Sequence, residues 1–232
     1  MGDILHTLPA VASLKRGVAD AHVTWVVESR WRPLLEGNPF VDRIVELRRG
    51  SWRGMLATAR ELRAEPFDLA VDFQGLIKSA LTASLARARR IYGYHRSQTR
   101  EWAAGLFYSH TLQARATHVV DRHLELAAAA GAAEPLKVFP LPEGRDEGGL
   151  PVGDFVLASP LAGWRAKQWP LENYQALARL LQSELRVPLV LDGPASAQTL
   201  FAAVDGVIPH SSGLPGLIYA TRRAAAVVGV DS

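Results

Sequence analysis

The sequence predicts an α/β protein in which parallel strands alternate with helices in two domains. Short runs of valine, isoleucine and leucine alternate with helical patterns of roughly 10–15 residues along the chain, as in βαβ units. Several of these runs are continuously apolar, which indicates strands that are covered by helices on both faces. A segment rich in proline, glycine and charge at 140–154 interrupts the pattern and indicates an interdomain linker.

The first predicted domain covers residues 1–139. Its strands are the β-branched and aromatic runs HVTWVVE, RIVEL, LAVDF and RIYGY, at 22–28, 43–47, 69–73 and 90–94. Helical patterns precede and separate these runs, at 4–16, 52–65, 75–88 and 119–131. Each strand is therefore followed by enough chain to cross over and pair in parallel with its neighbour.

The second predicted domain covers residues 155–232. Strands are predicted at 155–159, 187–192 and 224–230, and helices at 170–185 and 196–203. The first of these helices has a clear start, because Trp169-Pro170 puts proline at a favoured early position. This domain repeats the strand–helix alternation of the first on a shorter length of chain.

Both ends of the sequence depart from a complete doubly wound fold. The chain opens on a helix-start signal, Gly2-Asp3, although in this fold a central first strand normally precedes that turn. It closes on an apolar strand that stops at Asp231-Ser232, with no helix after it. We therefore expect the first strand and part of the C-terminal domain to be missing.

Composition excludes several classes of protein. With 232 residues, 48% hydrophobic residues and a formal net charge of +3, the chain is neither disordered nor fibrous. No apolar run approaches the ~18–20 residues of a membrane span. The sequence has no cysteine, which excludes disulfides, cysteine-ligated zinc and thiol nucleophiles.

Positive charge is concentrated between residues 43 and 100. This stretch contains twelve arginines and lysines against five acidic residues. Such a surplus indicates an anionic partner, or else an arginine-rich surface that is only solvated. A nucleic-acid-binding module is disfavoured, because the arginines are not interleaved with the aromatic platforms that such sites use.

Two motifs place polar groups at predicted helix starts of the first domain. Asp3 follows a glycine at a helix start, where a carboxylate acts either as a helix cap or as a general base. The second motif, DFQGLIKS at 72–79, has Gly75 at a predicted tight turn between Gln74 and Lys78. These polar residues either line a ligand cleft or belong to an ordinary turn with a solvated lysine.

A third motif follows the first strand of the second domain. In SPLAGWRAKQWP at 159–170, Ala162 and Gly163 expose backbone amides and Lys167 adds a positive charge nearby. These are the elements of a phosphate cradle, although the Gly-Lys-Ser/Thr ending of a Walker A loop is absent. An ordinary strand-to-helix loop with a solvated lysine is the alternative.

Four segments in order, MGDILHTLPA, DFQGLIKSA, GWRAKQWP and the terminal VDS, resemble the bacterial lipopolysaccharide heptosyltransferases of glycosyltransferase family 9. The resemblance runs through essentially the whole chain and includes Arg100 in SQTREWAAGLFY. The first two segments are most similar to those of heptosyltransferase I. The resemblance implies the GT-B architecture, with two Rossmann-like doubly wound domains facing a cleft, the first binding acceptor and the second binding nucleotide sugar.

The resemblance also implies roles for individual residues. Asp3 matches the catalytic aspartate, and Lys167 matches a lysine on the donor diphosphate, beside Ala162 and Gly163. Asp231 and Ser232 match the start of a motif that holds the nucleotide sugar. The positions implied for the acidic acceptor are Arg48, Arg49, Arg53 and Arg100, with Gln74 and Lys78 at the same cleft. One departure is that no acid stands at 193–198, where relatives often place a glutamate for the ribose.

The implied activity is transfer of heptose from ADP-heptose to the Kdo of the lipopolysaccharide inner core, with inversion and without a metal or cofactor. We expect no metal site, because the seven histidines are scattered and His118 and His123 have the wrong helical offset. The implied setting is cytoplasmic, peripheral to the inner face of the inner membrane where the Kdo–lipid A acceptor lies. The alternative is an inactive Rossmann-like fragment that binds an anionic glycolipid headgroup.

Overall fold

The chain divides into two units, Met1–Leu141 and Pro142–Ser232, each built from parallel strands and helices. The computed structural model describes residues 1–48 and 51–230. The predicted domain limits at 139 and 155 stay a prediction. Residues 142–154 contain neither helix nor strand, and they lie along a helix of the second unit.

Within its described part, the first unit contains two parallel sheets. Its elements are α1 (Gly2–Gly17), β1 (Thr24–Val27), β2 (Arg43–Glu46), α2 (Trp52–Leu62), β3 (Leu69–Val71), α3 (Ile77–Leu85), β4 (Arg90–Tyr94), β5 (His110–Leu112) and α4 (Val119–Ala129). Strands β1 and β2 pair with each other, and β3, β4 and β5 form the second sheet in that order. Short 3₁₀ helices occupy Ser29–Leu34 and Trp102–Phe107.

Helix α1, at the start of the first unit, is held in place by tight packing against α4. Ala10 and Ala127 are fully buried and let these two helices approach closely. On the other side of α4, Leu126 packs with Tyr92 and Tyr94 of β4. This apolar contact anchors α1 to the sheet of β3–β5, and it thereby fixes the position of the first turn of α1.

The described residues of the second unit form one parallel sheet in the order β8-β7-β6-β9. Its elements are β6 (Val156–Ser159), α5 (Leu171–Glu184), β7 (Leu189–Asp192), α6 (Gln198–Ala202), β8 (Val207–His210), α7 (Leu214–Arg223) and β9 (Ala226–Gly229). Leu157, Leu189 and Leu191 are buried in the central strands, as the continuous apolar runs predict. Tyr174 and Phe201 close the core from α5 and α6.

Every predicted strand and helix is found, with shorter bounds at most ends. Of the described elements, the strands β5 and β8, the helix α7 and the short 3₁₀ helices were not predicted. Strand β8 contains Pro209, which an edge strand tolerates because one side of it needs no ladder hydrogen bond. Among the described residues, no helix combines the length and the apolar character needed to cross a membrane.

Candidate active site

The candidate base, Asp3, forms a bidentate ion pair with Arg100. Nη2 of Arg100 donates to Oδ1 of Asp3 at 2.6 Å, and Nη1 donates to Oδ2 at 3.0 Å. The two side chains are 38% and 55% exposed, so solvent reaches both. Both residues were predicted from the sequence, with separate roles: Asp3 as the base and Arg100 on the acceptor.

Asp3 lies in the first turn of α1, where Met1 is the N-cap residue and offers no side-chain cap. Within the described part of the chain, the Asp3 carboxylate has Arg100 as its hydrogen-bond partner and no backbone amide. The hydrogen bond from Arg100 is the main reason that the pKa of Asp3 lies below its ordinary value. The carboxylate is therefore ionised at neutral pH and still open to solvent.

A buried histidine packs beside this first turn. His123 of α4 is 5% exposed, and its Nδ1 lies 3.2 Å from the carbonyl oxygen of His6 and 3.3 Å from Oγ1 of Thr7. Burial lowers the pKa of His123 to about 4, so the ring is neutral at neutral pH. Thr7 in turn donates to the carbonyl oxygen of Asp3 at 2.7 Å. His123 thus ties α4 to the turn that carries the candidate base.

The DFQG turn after β3 is organised by Asp72, which is 5% exposed. Its Oδ1 accepts from the backbone amides of Gln74 and Gly75, at 2.9 and 3.3 Å. Its Oδ2 accepts from the hydroxyls of Ser79 and Tyr108, each at 2.7 Å. All four donors converge on one carboxylate, which makes Asp72 the structural centre of this turn.

This turn also supports the loop that carries Arg100. Gly75 has φ +67°. It lies so close to Thr99 that a Cβ atom added to Gly75 would be 3.1 Å from the Cα atom of Thr99. The amide of Glu101 donates to the carbonyl oxygen of Gly75 at 3.0 Å, and the Glu101 carboxylate accepts from the amide of Ile77 at 2.6 Å. The residues on either side of Arg100 are thus fastened to the DFQG turn.

The other residues assigned to the acceptor make no described side-chain contact with this pair. Arg48 and Arg53 are exposed after β2 and on α2, and the Arg53 guanidinium stacks 5.5 Å from the ring centroid of Trp52. Lys78 is exposed in the first turn of α3, and Gln74 is half-buried in the turn that precedes this helix. Among the described contacts, none joins these four side chains to Asp3 or Arg100. The remaining residue, Arg49, lies outside the described residues.

The residues assigned to the donor occupy the loop between β6 and α5. Ala162 accepts from Nε2 of Gln168 at 2.9 Å, and Gly163 is exposed, with open space where a Cβ would lie. Lys167 is exposed in a 3₁₀ turn, Arg165–Lys167. This loop follows the carboxyl end of β6, a central strand of the parallel sheet, and ligands bind at that end of such sheets. Asp231 and Ser232 lie outside the described residues.

A buried Asp–His pair joins the carboxyl ends of β7 and β8. Nδ1 of His210 lies 2.8 Å from Oδ1 of Asp192, and the two residues are 3% and 7% exposed. Burial raises the pKa of Asp192 against the opposing effect of this hydrogen bond. Asp192 directly precedes the segment 193–198, which lacks the expected ribose acid, but its carboxylate is committed to His210.

Asp72 was part of a predicted motif but had no role of its own, and Tyr108, Glu101 and the pair Asp192–His210 were not predicted. The aspartate three residues before Gly75 was a usable signal, since such a side chain commonly accepts from the amides of the turn that follows. No local signal pointed to Tyr108 or His210, because their partners lie far away in the sequence.

Comparison with known proteins gives consistent matches. Residues 55–232 match the model of glycosyltransferase family 9 (heptosyltransferase). Lipopolysaccharide heptosyltransferase 1 of Escherichia coli K12 is 30% identical to this chain over 100% of the chain and 79% of its own length.

Solved structures match the fold as well. E. coli heptosyltransferase WaaC with ADP superposes with a TM-score of 0.81 at 26% identity, over 100% of this chain and 78% of WaaC. The same enzyme with ADP-2-deoxy-2-fluoro heptose gives 0.79 at 25% identity, over 100% and 80%. The predicted α/β fold of GT-B type is confirmed by these matches. The chain belongs to glycosyltransferase family 9, the heptosyltransferases, and is a glycosyltransferase.

Proposed function

We propose that this glycosyltransferase moves heptose from ADP-heptose to a Kdo hydroxyl of the lipopolysaccharide inner core, as a heptosyltransferase I does. The observation that carries this proposal is the ionised, solvent-accessible Asp3 held by Arg100. The similarity to lipopolysaccharide heptosyltransferase 1 supports the reaction class. The solved structures of E. coli WaaC with ADP and with ADP-2-deoxy-2-fluoro heptose support the donor.

Asp3 is the proposed general base. Arg100 uses one lone-pair direction of each Asp3 oxygen, and a carboxylate has about four such directions, so the acceptor hydroxyl can still donate to it. As the hydroxyl oxygen attacks the anomeric carbon, its proton passes to Asp3. The bond from that carbon to the diphosphate oxygen breaks, and ADP leaves with the electron pair. A single displacement of this kind inverts the anomeric configuration.

The proposed donor residues act on the leaving group. Lys167 and the backbone amides around Ala162 and Gly163 would stabilise the negative charge that grows on the departing diphosphate. Asp231 and Ser232 complete the donor set by resemblance. Neither a metal ion nor a cofactor is part of this proposal, since a lysine and backbone amides supply electrostatic stabilisation themselves.

All but one of the proposed acceptor residues are basic. The acceptor carries acidic groups, and the arginines at 48, 49, 53 and 100, with Gln74 and Lys78, offer charge-assisted hydrogen bonds to carboxylates and phosphates. Because the acceptor is a membrane glycolipid, we propose that the reaction takes place at the cytoplasmic face of the inner membrane.

Mass spectrometry of the reaction tests the proposal directly. The chain is incubated with ADP-heptose and deacylated Kdo–lipid A, and we expect a product heavier by one heptose. Asp3→Asn, which preserves size but cannot take the proton, should lower turnover by at least ~10²-fold.

The matched control is Asp121→Asn. Asp121 also lies in the first turn of a helix and pairs with a cation, Lys137, at 2.6 Å. The Asp121→Asn variant should have a turnover rate within about threefold of the parent, because an exposed ion pair of this kind contributes little to stability. Equal turnover by the Asp3 and Asp121 variants would refute the base assignment, and absence of any heptosylated product would refute the function.

A further inference from the structure

The outward side of α2 combines apolar and basic residues, of which the proposed reaction uses only Arg53. We define the α2 outer face by its five exposed residues: Trp52, Arg53, Leu56, Arg60 and Arg63. With 3.6 residues per turn, the four helical positions and the adjoining C-cap residue all fall within about one third of the helix circumference. They form a single continuous stripe.

The opposite side of α2 is committed to the core. Thr58, Ala59 and Leu62 are each 2% exposed, and the helix packs on β2. The hydroxyl of Thr58 also donates to the carbonyl oxygen of Glu46, at 3.2 Å. The helix therefore cannot turn its apolar outer residues inward without losing this packing.

Two large apolar side chains consequently stay in solvent. Trp52 is 70% exposed and Leu56, one turn later, is 46% exposed. The Arg53 guanidinium lies 5.5 Å from the centroid of the Trp52 ring, which leaves most of the indole uncovered. An exposed tryptophan and leucine beside arginines is the composition of helices that lie in the interface of a bilayer.

The charge on this face has one sign. Among the outward residues of α2, all within the described part of the chain, three are arginines and none is acidic. The only acid of the helix, Glu61, lies on the other side, 3.9 Å from the Arg43 guanidinium. Among the described ion pairs, none joins Arg53, Arg60 or Arg63 to an acid, and Arg63 uses only its Nε atom within the fold, on the carbonyl oxygen of Leu85 at 3.0 Å. Such arginines attract anionic headgroups and form charge-assisted hydrogen bonds with their phosphates.

We propose that the α2 outer face docks on an anionic lipid bilayer. Trp52 and Leu56 enter the headgroup region, while Arg53, Arg60 and Arg63 pair with lipid phosphates around them. A nucleic acid would need a row of aromatic platforms for its bases, whereas this face offers a single indole. A second copy of this face would bring arginine against arginine and is disfavoured by repulsion.

Vesicle co-sedimentation tests the proposal without donor or acceptor, so the result is independent of whether the chain transfers heptose. The parent chain should bind vesicles of phosphatidylcholine mixed with phosphatidylglycerol, and bind them far better than phosphatidylcholine alone. The double variant Leu56→Gln, Arg60→Gln should bind the anionic vesicles at least about fivefold more weakly, the factor expected for one arginine charge at such a surface. Glutamine keeps a helix propensity near that of leucine and arginine, so the helix is preserved.

The matched control makes the same two changes on α5 of the other unit. Arg179 and Leu180 are exposed neighbours there, and Leu180 is 60% exposed. Arg179→Gln, Leu180→Gln should bind vesicles like the parent. The proposal is overturned if the parent ignores anionic vesicles, or if both double variants lose binding equally. Two other results would also overturn the proposal, because each assigns the face to another occupant. In the first, the parent binds duplex DNA more tightly than vesicles and the α2 variant loses DNA binding. In the second, the parent self-associates and the α2 variant does not.

Discussion

Replacement of Asp72 by asparagine should destabilise the DFQG turn by about 2 kcal/mol. The substitution preserves an oxygen for the amides of Gln74 and Gly75 but puts an NH₂ group where two hydroxyls now donate at 2.7 Å. Ser79 can turn to the carbonyl oxygen of Leu76, which already lies 2.9 Å away. Tyr108, 9% exposed, is left without its acceptor, and a buried unsatisfied donor costs about 1–3 kcal/mol.

Hydrogen exchange at the amides of Gln74 and Gly75 measures this loss locally. A destabilisation of about 2 kcal/mol corresponds to about thirtyfold faster exchange through local opening. Adding Tyr108→Phe to Asp72→Asn removes the orphaned hydroxyl and should recover about 1 kcal/mol, since paired groups that are removed together leave no unmet donor. The matched control is Asp68→Asn, an exposed aspartate 3.5 Å from Arg89, which should change exchange by less than about twofold.

The reasoning is refuted if Asp72→Asn and Asp68→Asn exchange alike, or if Tyr108→Phe deepens the loss instead of relieving it. The acceptor KM gives a second readout. Because Glu101 binds both the Gly75 carbonyl and the Ile77 amide, a loosened turn releases the loop that carries Arg100. The acceptor KM should therefore rise while donor affinity stays unchanged.

Two further predictions concern the ion pair and the donor loop. Arg100→Gln should return the pKa of Asp3 toward its ordinary value, as followed by NMR titration of the carboxyl. A lowered folded-state pKa contributes stability above the unfolded pKa and loses it as pH falls through the folded value, so this variant should lose that acid dependence, worth under about 1 kcal/mol at such exposure. An unchanged Asp3 titration would contradict this. Lys167→Met should lower kcat more than ADP-heptose affinity, measured by steady-state kinetics and calorimetry, because charge grows on the leaving group. If only affinity falls, Lys167 anchors the ground state instead.

Most strands and helices could be predicted because the sequence patterns that indicate them are local. Each buried strand such as β7 is a short apolar run, and each neighbouring helix has its own apolar periodicity. The missed elements lack these signals. Strand β5 is the short polar run His110–Leu112, β8 contains Pro209, and α7 has proline and glycine in its first turn. In each case pairing or packing with distant elements overrides a weak local preference.

The candidate site was only partly predictable for the same reason. Residue types and motif order pointed to Asp3 and Arg100 individually, but their ion pair joins positions 97 apart in the sequence. The bond from Tyr108 to Asp72 spans 36 positions, and the Asp192–His210 pair needs β8, which the sequence did not reveal. Contacts of this kind depend on the order of strands in a sheet, and a one-dimensional pattern does not contain that order.

The geometry of the Asp3–Arg100 pair bears on why an arginine suits this position. Asp3 takes the Nη1 and Nη2 atoms of the guanidinium, and among the described contacts Nε of Arg100 has no partner. A guanidinium has five donors in a rigid plane, so its Nε edge can receive a second carboxylate while the first stays bound. In the proposed reaction one arginine would then keep the base ionised and hold an acidic acceptor group beside it. A lysine, with a single point charge on a flexible stem, cannot fix two carboxylates in this relation.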